Sequence, residues 1–160
     1  MKIIDVHAHY GKWFICTNKD SIKDILEIMR KNNIEKTILS SSLSIIYNFV
    51  EGNRVLSEVI EGHKNLFGYL FLNPNYLEMS LKEMKKYLNK EKFVGLKLYS
   101  DGYINQPLNC KGHMKFLEVL AKRYPEKGVV LFHCWFQSVS QLIELAKEFS
   151  DEGFSRFKEK

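Results

Sequence analysis

Apolar and polar positions follow two different periods along this chain. Short apolar runs at Ile3–Val6, Thr37–Leu39, Phe67–Leu72, Phe93–Leu98 and Val129–Phe132 have the length of strands. Between them, apolar residues recur at helical spacing. Ile22, Ile25, Leu26 and Met29 mark a first helix, which Ser21 and Asp24 can cap in the S-x-x-D manner. Val55, Val59 and Ile60 mark a second, and Leu77, Leu81, Met84 and Leu88 a third. Phe116, Leu117 and Leu120 lie in a fourth; Leu142, Leu145, Ala146 and Phe149 lie in a fifth. Strand and helix alternate five times, about one unit every thirty residues, which predicts an α/β fold with right-handed crossovers and a parallel sheet.

In such folds functional residues gather where strands hand over to loops. His7, His9, Lys97, Tyr99 and His133 all fall there. In "KIIDVHAHY", Asp5, His7 and His9 are spaced by two and share one face at the end of a short buried strand. Two converging imidazoles suit a divalent transition metal such as zinc. The plainer alternative is one hydrogen-bonded core histidine and one surface histidine. "VVLFHCW" again leads apolar residues, Val129 and Leu131, to a histidine on the same face. In "FVGLKLYS", Gly95, Lys97 and Tyr99 share a face. A lysine facing inward has to be paired, carbamylated or bound to an anion; facing outward, it snorkels. His63 reads as a loop residue and His113 as a helix-start residue, neither of them a ligand.

The 160 residues suffice for one domain, and a content of 45% hydrophobic residues argues against disorder. The net charge of +5 is scattered among glutamates on helix faces, without a basic block, so no nucleic-acid partner is expected. Three cysteines, Cys16, Cys110 and Cys134, lack CxxC spacing and point to a reduced, cytoplasmic setting. Cys134 adjoins His133, but neighbouring strand residues diverge, so it reads as structural. No run approaches the ~20 apolar residues of a membrane span, and no signal peptide is read at the start.

Taken in order, "IIDVHAHYG", "NLFGYLFLNPN", "FVGLKLYSDGYINQPLN" and "GVVLFHCW" resemble segments of the amidohydrolase superfamily. The likeness is to its amidohydrolase-2 branch, the metal-dependent hydrolases related to aminocarboxymuconate semialdehyde decarboxylase, and it covers residues 1–149. It implies a TIM-barrel fold, (β/α)8, with about five of eight units present, and residues 150–160 as a polar tail. It further implies that His7, His9 and His133 ligate a divalent metal, most naturally zinc, with manganese or iron as alternatives. Members of the family also use a sixth-strand histidine and an eighth-strand aspartate, which this sequence does not supply after "KEFSDEGFSRFKEK". A shortened member of the family is therefore expected, with self-association as one way to cover the open barrel edge.

The implied chemistry is attack by metal-activated water on an amide, ester or lactone of a small carboxylate-bearing substrate, or protonation in a decarboxylation. Lys97 would orient a carboxylate, Tyr99 would donate a hydrogen bond, and Asp101 is the nearest acid able to reach the mouth. Asp5 lies deeper, in a supporting position. The competing readings are a catalytically incomplete remnant or assembly module that keeps metal binding, and a PHP-type phosphoesterase, which would need further histidines and acids.

Overall fold

Among the described residues the elements run β1 (Ile3–Tyr10), α1 (Ile22–Lys31), β2 (Ile34–Ser41), α2 (Ser42–Ile46), α3 (Phe49–Glu61) and β3 (Leu66–Phe71). They continue through α4 (Leu77–Tyr87), β4 (Phe93–Tyr99), α5 (Lys111–Arg123), β5 (Val129–His133) and α6 (Val139–Glu148). These come from a computed structural model, which describes residues 2–13, 21–100, 102, 104–133 and 139–148. All neighbouring strands pair in parallel in the order β1-β2-β3-β4-β5, and the sheet curls into half of a TIM barrel. No helix among the described residues is long and apolar enough to cross a membrane.

The helical periodicity has a direct physical outcome. Ile25 and Met29 of α1, Leu56 and Ile60 of α3, Met84 of α4, and Phe116, Leu117 and Leu120 of α5 meet Leu39, Leu66, Leu70, Leu96 and Leu98 of the sheet in one core. Ser21 caps α1 as its spacing predicts, its hydroxyl accepting from Asp24 N–H at 3.2 Å. The strands extend beyond their apolar runs: β2 begins at Ile34, and β1 carries both histidines within it. Backbone pairing lengthens them, because ladder hydrogen bonds form whatever the side chain.

The serine-rich stretch after β2 contains the short helix α2, whose N-cap Ser41 accepts from Ser44 N–H at 3.2 Å. One expectation is corrected. The opening strand is not buried: Ile4 and Val6 are 55% and 57% exposed. It is an edge strand with a partner on one side only, and Ile3, Ile4 and Val6 lack cover among the described elements.

The packing of α2 against α3 depends on Gly52, where a Cβ would stand 2.2 Å from the Ser44 nitrogen. The next residue, Asn53, is fully buried and ties four elements together. Its amide nitrogen donates to Phe71 O at 3.0 Å and to Glu83 Oε2 at 3.1 Å. Its oxygen accepts from Phe71 N–H and from the Ser44 hydroxyl, each at 3.2 Å. The carboxyl of Glu83, itself 5% exposed, is pushed above the ordinary range, mainly by burial, against the pull of the Asn53 hydrogen bond and the Lys86 charge.

Asn53→Ala should lower the unfolding free energy by about 3 kcal/mol, since each unsatisfied buried partner costs ~1–3 kcal/mol. The urea midpoint at unchanged slope measures this. The folded chain holds the Glu83 proton more tightly than the unfolded chain does. Ionisation of this group therefore costs stability at neutral pH, and the cost disappears as pH falls through the raised folded value. Glu83→Gln, which keeps an acceptor for Asn53, should stabilise the protein near neutral pH and progressively less in acid. Urea midpoints taken across that pH range read the difference.

Candidate functional site

Cross-strand neighbours in a sheet project from the same face. The pairs His9 with Ser40, Phe71 with Lys97, and Tyr99 with His133 therefore belong to one surface. Their alternates, among them Ala8, Leu39, Leu70, Leu96, Leu98 and Phe132, face the helices. His7, His9, Lys97, Tyr99 and His133 thus all lie on the concave face, toward the C-terminal ends of β1, β4 and β5, where an active site of this architecture forms.

The two β1 histidines stand with ring centroids 5.1 Å apart and planes tilted by 53°. His7 is exposed and His9 half-buried, with Trp13 against the His9 ring at 5.1 Å. Burial lowers the His9 pKa to about 4, helped by charge at His7, Lys97 and His133. The pKa of His7 is lowered too, by burial and then Lys97, with Asp5 opposing. Both imidazoles are therefore neutral at physiological pH, the form that offers a lone pair to a metal. Asp5 does not reach the cluster; its carboxylate accepts the backbone N–H of His7 at 3.0 Å.

Lys97 was open to two readings from sequence, and the structure resolves them in favour of the inner face: the residue is fully buried. Its ammonium lies 5.8 Å from the Tyr99 ring centroid. Tyr99, 5% exposed, stacks flat on His133 with centroids 4.0 Å apart and planes 5° from parallel. Tyr99 and Phe71 also join Ile45, Phe49 and Ile104 in a second apolar cluster that roofs this end of the sheet, with Trp13 packed against it. Gly95 sets the spacing of β4 and β5, since a Cβ there would stand 1.9 Å from Val129 O. Ser100 donates to the carbonyl of His133 at 3.3 Å.

The remaining candidates fall elsewhere. Asp101, Cys16 and Cys134 lie outside the described residues. Cys110 is a free thiol at the N-cap of α5. His113 is buried in α5 with its Nδ1 3.3 Å from Pro107 O, and His63 offers its carbonyl to the Lys92 ammonium at 3.0 Å. Among the described residues no three His, Cys, Asp or Glu side chains form a ready-made metal cage. The adjacent His7 and His9, both neutral imidazoles, are the part that suits a metal.

Two residues at this face carry no motif in the sequence. Ser40 is fully buried beside His9, and only the β1–β2 register shows it. Trp13 covers His9 from the loop after β1. Two cavities lie apart from the histidines. One of about 270 Å3 separates α5 and α6 above β5 and is lined by apolar residues such as Leu117, Phe132 and Leu142. A groove of about 520 Å3 beside α2 is lined by uncharged residues that include Tyr47, Asn48, Asn73 and Tyr76.

Gly95→Ala should cost about 2 kcal/mol through overpacking and should prise β5 from β4. A lowered urea midpoint, with loss of the ring-current shift that Tyr99 imposes on the His133 ring protons, is the expected result.

No family model matches the chain, and no curated protein matches it in sequence. Among solved structures it is similar to a probable 2-pyrone-4,6-dicarboxylic acid hydrolase from Acinetobacter baumannii, crystallised with citric acid bound. The TM-score is 0.61 at 18% identity, over 94% of this chain and 56% of that one. The chain thus spans little more than half the length of that structure, and what the two demonstrably share is the fold: five parallel βα units of a TIM barrel.

Proposed function

We propose that this chain carries the site of a metal-dependent hydrolase of the amidohydrolase type, acting on a small carboxylate-bearing substrate. The observation that carries the reading is the placement of His7, His9, His133 and fully buried Lys97 on one concave face at the C-terminal mouth of a parallel half-barrel. The structural neighbour's name, a hydrolase of a dicarboxylic acid, and its bound citric acid agree with it.

In this reading His7, His9 and His133, which do not form a ready three-ligand group in this structure, would close on the metal, zinc before manganese or iron, because all three supply nitrogen donors and the two on β1 are neutral. A bound ion of this kind brings the pKa of a water ligand down toward neutrality and polarises a carbonyl. The protein's own residues do the rest. Lys97 binds and orients the substrate carboxylate; its charge, which adds to the larger effect of burial in lowering both histidine pKa values, favours an anion beside the metal. Tyr99 fixes the plane of the His133 ring by stacking on it. Asp101, just beyond β4 in sequence, is assigned the proton-accepting role on sequence alone.

Protein purified without chelator should contain about one zinc, manganese or iron per chain by elemental analysis, as a three-histidine site holds. His7→Ala should lose that metal. Turnover of carboxylated esters and lactones should then fall with metal content and with Lys97→Met. Unchanged metal content in His7→Ala would overturn the ligand assignment, whereas metal retained with no turnover of any such substrate would leave a binding module in place of an enzyme.

A further inference from the structure

We propose that Ser40 is a positioning residue for His9, its hydroxyl accepting a hydrogen bond from the Nδ1–H of the imidazole and leaving Nε2 free to bind. The consequence for metal binding rests on the reading above; the contact itself does not.

Two buried polar atoms carry the inference. The Oγ of Ser40 and the Nδ1 of His9 are both shut off from solvent, and neither has a hydrogen-bond partner. Ser40 is fully buried. His9 and Ser40 are partners in the β1–β2 register, so they stand side by side on the concave face, on strands about 4.8 Å apart. Burying two unsatisfied polar groups side by side is unfavourable, and one modest adjustment satisfies both: a turn of the hydroxyl and a tilt of the ring. The ring is flanked by those of His7 and Trp13, each with centroids 5.1 Å away, and Ser40 is its partner across the strand.

A serine hydroxyl can accept from Nδ1–H or donate to a bare Nδ1; the proposal is the first, the arrangement that leaves the ring lone pair at Nε2. A neutral imidazole carries a single N–H, and whichever nitrogen donates it leaves the other as the lone-pair donor. Hydroxyl oxygen accepts, Nδ1–H donates, and His9 is locked as the tautomer whose Nε2 serves a metal. Supporting hydrogen bonds of this kind govern ligand basicity and orientation in metal sites. Thr37 and Ser42 also hold buried hydroxyls without partners. Thr37, however, shares the face of Leu39, which packs toward the helices, and Ser42 already belongs to α2, so neither is a strand neighbour of His9.

The test is nitrogen-15 NMR of the His9 ring in the full metal-free chain, together with zinc affinity from chelator competition. The wild type should show His9 protonated at Nδ1. Ser40→Ala should shift it toward the Nε2–H form and weaken zinc binding about 10- to 100-fold. Ser40→Thr, which keeps the hydroxyl, should restore both. Should Ser40→Ala fail to fold by circular dichroism, Ser40→Cys, of similar size and a poorer acceptor, takes its place with the same expectation. A wild-type His9 protonated at Nε2, or an alanine variant with an unchanged tautomer, would overturn the proposal. A wild type that binds no zinc would defeat the metal reading alone, because the tautomer still reports on Ser40.

Discussion

The carboxamide of Asn53 makes four hydrogen bonds without contact with water, and the mouth of the half-barrel is organised around them. Both amide protons are donated and the oxygen accepts twice, so the group leaves nothing unsatisfied. Its partners are the last residue of β3, the helix that follows β2, and the carboxyl of α4. Two successive βα units, β2 with α2 and α3, and β3 with α4, are thereby held at one point. Gly52 beside it permits the close crossing of α2 and α3 that brings Ser44 into range. Polar networks of this kind are costly when incomplete and rigid when complete, which suits a scaffold that must present side chains from several strands.

On the concave face the balance is different. A fully buried lysine and two histidines with lowered pKa values sit together, an arrangement that opposes positive charge and favours neutral imidazole. The helix-side core supplies the stability that tolerates it, since every helix packed there contributes large apolar side chains.

The histidines occupy the two edge strands, His7 and His9 on β1 and His133 on β5. Only the curl of the sheet brings His133 close enough to affect His9 electrically. The exposed Ile4, Val6 and Val129 lie on the same two strands, at the open edges of the sheet. The site therefore depends on the same curvature that leaves the edges open.

Much of this was legible in the chain. Five apolar runs separated by helical periodicity are enough to dictate parallel βα units, because period and burial are coupled through backbone geometry. The spacing of two between His7 and His9 puts them on one face by the same rule, and Gly95, Lys97 and Tyr99 follow it too. What sequence left open required partners distant along the chain. Whether Lys97 faces inward, which serine stands beside His9, and that Asn53 is a junction all depend on strand register and helix packing, which have no local signature. The exposure of β1 likewise belongs to the sheet as a whole, since an apolar strand reads the same at an edge as at the centre. Periodicity acts within one element and is written in consecutive residues; register and curvature act between elements, and only the folded chain decides them.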